Sequence, residues 1–438
     1  MRRLFTCLLS LACVGLAHGQ APIPAPSPRA GGWSCGAYPC AGDLEGWQRR
    51  VSLSPGYVLE YVGRFPGQVQ QLALGPQNVV YATVWLRGTQ EGSVYALVEG
   101  RARVIGLPLI APYGLAFAPD ASALYITARR SPEGPGLLLR LWADGRLETL
   151  RDDLPCCQWP ILGNQPNGLA FGPDGALYLG VGALTDRAES SNPRLQAYAP
   201  VGELEAAILR YDLASAELRP VASGIRNPTD VAFGLQGQAY ALDSGLVSGP
   251  GDRLLAWTMG GFYGWPYWSS RGCEDCPPNL SRQAPLPDLV SFPDYSLPRG
   301  LVVYQGQGFP SGLRGTLFVA LWNGTERPSR VVWIDPQDPR LLNPNPEQPY
   351  EPVDFLVGLG RISDVIEDER GGLLVADSVY GHVWRVSYAP SSAPHPPQGE
   401  GDRPSLPTPL LQDGGFNRPT PTALPTFVPF ATNTPVSP

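Results

Sequence analysis

The sequence predicts an all-β protein, a six-bladed β-propeller whose ring is closed by an N-terminal strand. Three observations lead there. A pair of short alternating strands around a Pro-Asp-Gly turn recurs along the chain, with its clearest copy at Gly168–Leu179. Most copies are followed by a second hairpin, so each unit holds about four strands and recurs every ~45–70 residues, the pattern of propeller blades. The 51 Gly and 50 Pro among 438 residues, with 10% aromatics, also describe a loop-rich β chain.

Taken in order, Met1-Arg2-Arg3, the apolar run Leu4–Leu16 and the small residues Ala17-His18-Gly19 read as an export signal over residues 1–19. That predicts a secreted, periplasmic or cell-surface protein. A lipoprotein signal using Cys13 is the alternative, although Ser10 stands where a large aliphatic residue belongs. No stretch has the length of a membrane span. Residues 20–53 read as a leader containing Cys35 and Cys40, and residues 54–388 as the propeller.

Within the propeller, Tyr57–Val62 is a strand without a partner of its own, and it is expected to pair with the last blade and close the ring. The hairpin copies then follow. They are Gln71–Pro76 with Val80–Ala82, Gly114–Asp120 with Ala123–Ile126, Gly168–Leu179, Asp230–Phe233 with Gln238–Ala241, and Asp364–Ile366 with Gly372–Asp377. Gly315–Ala320 supplies a sixth strand of the second type. Ser93–Leu97, Leu137–Leu150 and Ala207–Tyr211 open or form the second hairpins. From Ala389 to Pro438 the chain is rich in Pro, Ser and Thr and is expected to be disordered.

Composition excludes several chemistries. All 32 basic residues are arginine, and of three histidines only His382 falls within the blades. A histidine metal cluster, a histidine base or a lysine Schiff base therefore has no residues to use. A formal net charge of −7 argues against nucleic acid or an anionic membrane surface as partner. Six cysteines remain after the signal, namely Cys35, Cys40, Cys156, Cys157, Cys273 and Cys276, an even number that in an exported chain points to disulfides. Cys35–Cys40 and Cys273–Cys276 are local pairs, and Cys156 and Cys157 pair with each other or elsewhere. Zinc at Cys273 and Cys276 is the alternative and needs two further ligands.

Four loops stand out at blade ends. They are Gly224–Asp230, which contains Arg226-Asn227-Pro228, then Asp243-Ser244-Gly245, Gly260–Tyr267, which contains Tyr263-Gly264-Trp265-Pro266, and Gly360–Asp364. With the hairpins, these loops make the chain from about Tyr57 to Tyr388 resemble the glucose/sorbosone dehydrogenase family of exported quinoproteins. The resemblance implies a six-bladed propeller that oxidises a sugar with pyrroloquinoline quinone (PQQ) and Ca²⁺. It implies that Arg226 and Asn227 face the quinone and that Arg361 is one of two arginines on its carboxylates, the second falling on Ser363. It further implies that the backbone carbonyls of Gly245 and Leu246 hold the Ca²⁺, whose preference is for hard oxygen. Arg226 capping strand-end carbonyls, and the Tyr263–Pro266 loop packing between blades, are the competing structural readings.

The chain departs from that pattern. The family's catalytic histidine falls on Asn164, whose amide cannot accept a proton. The aspartate that orients the histidine falls on Ala183, the cofactor-binding lysine has no counterpart, and the acidic residue after Asp252 becomes Arg253. Three functions are therefore expected to compete. One is a quinoprotein sugar dehydrogenase using Asp186 or Glu189 as a substitute base. Another is a catalytically degenerate sugar- or glycan-binding propeller with Tyr263, Trp265 and Trp322 as stacking platforms. The last is a Ca²⁺-dependent lactonase-like hydrolase built on Asn167, Asn227 and Asp243.

Overall fold

A computed structural model describes residues 32–86, 89–156, 166–188, 201–247, 251–267, 285–322, 328–343 and 350–390. Residues 1–19, read above as an export signal, the segment from residue 391, Asn164, Glu189, Cys157, Cys273 and Cys276 lie outside these residues.

The expected propeller is the observed fold. The first blade is Gln68–Leu74, Val80–Trp85, Glu91–Val98 and Arg101–Val104. The second is Leu115–Phe117, Ala123–Arg129, Gly136–Trp142 and Leu147–Leu154, and the third Pro166–Phe171, Leu177–Val181, Ala207–Tyr211 and Leu218–Ser223. The fourth is Pro228–Phe233, Ala239–Asp243, Arg253–Trp257 and Val290–Ser291. The fifth is Pro298–Val303, Leu317–Leu321, Arg330–Ile334 and Val353–Val357. In the sixth, Ile362–Glu367, Leu373–Asp377 and His382–Tyr388 are completed by Tyr57–Arg64 from the other end of the chain, in antiparallel register from Tyr57 against Tyr388 to Arg64 against His382. Ring closure thus happens as the unpartnered early strand requires.

Apolar residues alternate along these strands and become nearly continuous in the second strand of each blade, because that strand is covered by a blade on both sides. The core is accordingly divided into six clusters, one between each adjacent pair of blades, including the pair that closes the ring. The repeated sequence explains their geometry. The Phe ending one inner strand packs edge-on against the Tyr of the preceding blade's second strand. Tyr81 meets Phe117 at 4.9 Å, Tyr125 meets Phe171 at 5.3 Å and Tyr178 meets Phe233 at 4.9 Å between ring centroids. In the clearest hairpin, Gly175 takes φ 75°, which the turn after Pro173-Asp174 needs.

The segment expected as a leader contributes to the fold. Ser52–Leu53 pairs with Val357 and Leu356 as an extra outer strand of the fifth blade. Ahead of it the short helix Leu44–Arg50 is capped by Asp43, whose carboxylate accepts from Gly46 N at 2.7 Å. Trp47 is fully buried in the cluster between the fifth and sixth blades and stands edge-on to His382 at 5.7 Å. His382 Nε2 lies 2.9 Å from the Ala41 carbonyl oxygen, and the Cys35–Cys40 disulfide closes the loop before it. Cys156 is also disulfide-bonded. Among the described residues no helix is long and apolar enough to cross a membrane.

Two outcomes follow from this N-terminal clasp. Trp47→Ala removes a fully buried indole and is expected to cost roughly 3–5 kcal/mol in urea-induced unfolding. Burial pushes the His382 imidazole down to about 4 from an ordinary 6.5, so the unfolded chain takes up its proton first. Stability should therefore fall as pH drops from 6.5 to about 4 and level off below, by about 3 kcal/mol. His382→Gln should flatten that fall in melting curves taken across the same range.

Candidate functional site

The inner strand of each blade starts at one end of the central channel, and its hairpin partner returns to the same end. Just after the start, in five of the six blades, the register slips by one residue. The slip lies between Val69 and Leu72, Pro166 and Leu169, Pro228 and Asp230, Pro298 and Gly300, and Ile362 and Asp364. Such bulges re-aim side chains. Superposing the repeats on them gives two layers, the outer one comprising Gln70, Tyr113, Asn167, Thr229, Arg299 and Ser363. The next layer inward is Gln71, Gly114, Gly168, Asp230, Gly300 and Asp364.

The inner layer plugs the channel. Asp364 Oδ2 accepts from Leu72 N at 2.6 Å, and Asp230 Oδ2 accepts from Leu301 N at 2.8 Å. Gln71 Nε2 donates to Asp230 Oδ1 at 2.9 Å, while its Oε1 accepts from Leu115 N at 3.3 Å. Glycine is required between these side chains. A Cβ on Gly300 would strike the Asp364 carboxylate, and one on Gly168 would strike Asp230 and Gln71. Below the plug, the opposite end of the channel is a cavity of about 230 Å³ lined by Leu115, Leu169, Val231, Phe233 and Leu301. Burial raises both carboxyls, Asp364 to about 7 and Asp230, which also faces the charge of Asp364, well above the carboxylate range.

Above the plug, two arginines are locked to the wall. Arg226 Nε donates to Asp186 Oδ1 at 2.7 Å, and its NH1 donates to the Ser244 carbonyl at 3.1 Å. It is 4% exposed. The resemblance implies that this side chain faces a quinone; its guanidinium is instead spent on a carboxylate and a strand-end carbonyl. Asp186, expected as a substitute base, also accepts from Val247 N and is held as an ion-pair anion. Ala183 packs with Ala188, Ala206 and Trp265 in a small apolar cluster, so that position holds no polar orienter.

The second locked arginine is Arg253. It donates to Asp243 Oδ2 through Nε at 2.9 Å and NH2 at 2.8 Å, and to Asp288 Oδ1 at 2.9 Å. Asp243 Oδ1 in turn accepts from Asn227 N at 2.8 Å, and Asn167 Nδ2 donates to Asn227 Oδ1 at 2.7 Å. The structure thus brings Asn167, Asn227 and Asp243 together, as a metal-dependent hydrolase would need. It then places a guanidinium against the carboxylate a metal would use. Asp252, pushed up to about 6 by burial, accepts from Gly245 N and Leu297 N.

Beside the Gly245 and Leu246 carbonyls that the resemblance assigns to Ca²⁺, the described carboxylates are already engaged and add no free ligand. Asp186 and Asp243 are neutralised by guanidinium groups and Asp252 is bonded to backbone. Among the described residues no group of three or more acidic, His or Cys side chains gathers.

The aromatic platforms expected for sugar stacking are corrected as well. Tyr263 is fully buried, its hydroxyl donating to the Ala256 carbonyl at 3.2 Å, and Trp265 Nε1 donates to the Asp186 carbonyl at 2.8 Å. Both pack between blades. Trp322, pinned by Nε1 donating to Ser378 Oγ at 3.0 Å, has its ring covered by Arg361 at 4.2 Å and by Arg299 at 5.0 Å.

Arg299 and Arg361 differ from the locked pair in having no carboxylate partner among the described residues. Arg299 also lies 5.9 Å from the Tyr113 ring centroid. Four outer-layer atoms, Tyr113 Oη, Asn167 Oδ1, Arg299 Nε and Ser363 Oγ, are buried without a hydrogen-bond partner among the described residues. Reading single motifs missed Tyr113 and Arg299. Aligning Pro112-Tyr113-Gly114, Pro166-Asn167-Gly168 and Pro298-Arg299-Gly300 would have found them, because each middle residue directly precedes a glycine of the inner layer.

No family model matches the chain, and no curated protein matches it by sequence. Solved structures match in fold. A putative oxidoreductase (glucose dehydrogenase) from Thermus thermophilus superposes with TM-score 0.54 at 20% identity, over 76% of this chain and 100% of that one. The PQQ-bound form of an aldose sugar dehydrogenase from Streptomyces coelicolor gives 0.54 at 19% identity, over 77% and 99%. The holo PQQ domain of a pyranose dehydrogenase from Coprinopsis cinerea gives 0.54 at 12%, over 77% and 97%. This chain thus has the fold of soluble PQQ-dependent sugar dehydrogenases, at identities that speak to fold alone.

The plug makes a pH-dependent contribution to stability. Asp364 holds in the folded state a proton that the unfolded chain releases near 3.8, so this contribution is full below 3.8 and lost as pH rises through about 7. Asp364→Asn removes the titration. Its melting temperature relative to wild type should rise between pH 5 and pH 8, as measured by calorimetry at fixed salt.

Proposed function

We propose that this chain is an exported quinone-binding propeller of the sugar dehydrogenase type. PQQ would lie in the outer mouth of the channel, a sugar would be the substrate or ligand, and turnover would be slow. The observation that carries the reading is Arg361 stacked on Trp322 at the mouth of this fold, without a carboxylate partner among the described residues. A guanidinium held flat on an indole is a preorganised partner for a planar carboxylate. The unspent polar atoms of Tyr113, Asn167 and Ser363 around the axis are the donor and acceptor set a polar planar cofactor needs, so the residues present fit the quinone.

When bound, such a quinone supplies the hydride acceptor for oxidation of a sugar at C1. This chain's residues bind and orient. Arg361 takes a carboxylate at the rim, Asn167 and Asn227 hold one wall through their mutual hydrogen bond, and the plug of Gln71, Asp230 and Asp364 closes the floor to water. Proton removal from the sugar hydroxyl has no agent among the described side chains. Asp186 and Asp243 are ion-paired, Asp252 is held by backbone amides, and Asn164 stands at the family's base position. No step is assigned to Ca²⁺, because Asp186 and Asp243, the carboxylates near the Gly245 and Leu246 carbonyls, are already paired with arginines. The same pairing of Asp243 with Arg253 weighs against the lactonase reading.

The test is a titration of the purified protein with PQQ, with and without prior dialysis against EDTA, followed by a panel of aldoses. Expected are saturable quinone binding that EDTA leaves unchanged and sugar-dependent quinone reduction roughly 10²–10⁴-fold slower than with an imidazole base. Absence of quinone binding at millimolar ligand would overturn the reading.

A further inference from the structure

The outer layer of the channel gathers buried polar atoms that no described residue satisfies. Its members come from every blade, and four of the six carry a buried atom with no partner among the described residues. Two of them meet on the axis. Tyr113 belongs to the second blade and Arg299 to the fifth, and in a six-membered ring these blades face each other, so their side chains can touch only at the centre. The Arg299 guanidinium lies 5.9 Å from the Tyr113 ring and 5.0 Å from the Trp322 ring.

Nothing described neutralises that guanidinium. The carboxyls below it, Asp230 and Asp364, already accept from Leu72, Leu301, Val231, Val365 and Gln71. Burial biases both toward the neutral form, and the charge of Asp364 pushes Asp230 further. Tyr113 is 2% exposed, and its hydroxyl has no acceptor among the described residues. A guanidinium without a carboxylate partner, interacting with a buried phenol hydroxyl that has no acceptor among the described residues, has the chemistry of an anion receptor.

We propose that Arg299 and Tyr113 form a second carboxylate-anchoring point for the planar cofactor, on the channel axis, acting with Arg361 at the rim. The inference rests on the quinone-binding reading above and deepens it. Where the resemblance asks for a second cofactor arginine the chain has Ser363, and it has no lysine at all. The missing charge is restored from the neighbouring blade, against the same Trp322 ring that Arg361 covers. Two cations fixed on one indole select a rigid polycarboxylate over a monocarboxylate, which can engage only one of them.

The test uses the full chain, isothermal calorimetry and two probes, PQQ and the redox-silent benzene-1,3,5-tricarboxylate. Arg299→Gln is expected to raise the Kd for both by roughly 10–100-fold and to lower the salt dependence of binding, as loss of one charge-assisted contact requires. Tyr113→Phe should weaken both by roughly 3–10-fold, and Arg299→Lys should restore part of the affinity. A melting curve on each variant checks folding, and Tyr113→Phe, which removes one oxygen, serves if Arg299→Gln fails to fold. PQQ binding that neither variant weakens overturns the anchoring point and leaves the quinone reading standing. Tricarboxylate binding that depends on Arg299, with no PQQ binding, supports the anchoring point and overturns the quinone reading. Binding of neither probe overturns both.

Discussion

The inner strand of a propeller blade is paired on one side only, and its other edge of backbone N–H groups faces the channel. Buried amides without acceptors are costly. In this protein Asp364, Asp230 and Gln71 supply acceptors to Leu72, Leu301 and Leu115, each bond running from one blade to another. The rest of the channel follows from this requirement. Three side chains can converge only if the intervening positions are glycine, as Gly114, Gly168 and Gly300 are. The amide bonds favour the ionised carboxyls, but burial outweighs them and raises Asp364 to about 7 and Asp230 well above the carboxylate range.

The bulge that aims the plug inward also turns the preceding residue of each bulged inner strand into the channel mouth. The floor and the candidate site are therefore adjacent layers of one construction. The same geometry sorts the arginines. Those at loop roots, Arg226 and Arg253, meet aspartates from neighbouring strands and become part of the wall. Those at or just before inner strands, Arg299 and Arg361, meet the Trp322 ring, and Arg299 also the Tyr113 ring, with no carboxylate partner among the described residues. A buried pair broken on one side would leave an uncompensated charge, so the wall arginines are the less replaceable ones for stability. The mouth arginines carry recognition.

The loss of basic residues read from the sequence at Ser363 and at the missing lysine looked like decay of a site. In three dimensions it is partly a redistribution, because Arg299 brings a cation to the same indole from another blade. The loss at Asn164 and Ala183 has no such compensation among the described residues. Asp186, the described candidate for a substitute base, is committed to Arg226, and Ala183 lies in an apolar cluster.

Strand period, the Pro-Asp-Gly turns and the spare strand Tyr57–Val62 were enough to derive six blades and their closure, since alternation and turn chemistry are local and each blade repeats them. The Gly-Leu-Ala-Phe and Leu-Tyr motifs even carry the inter-blade contact, Phe on Tyr. The status of individual charges was not legible. Arg226 and Arg299 are the same residue type near the starts of inner strands of adjacent blades, yet one is neutralised by Asp186, 40 residues away in sequence, and the other has no carboxylate partner among the described residues. Likewise Trp47 and His382, far apart in sequence, form one buried clasp where a leader was expected. The sequence by itself determined the fold, because its signals repeat within each blade. Which polar groups are spent on the wall and which remain for a ligand was decided only by tertiary structure, because that depends on partners the ring brings together from different blades.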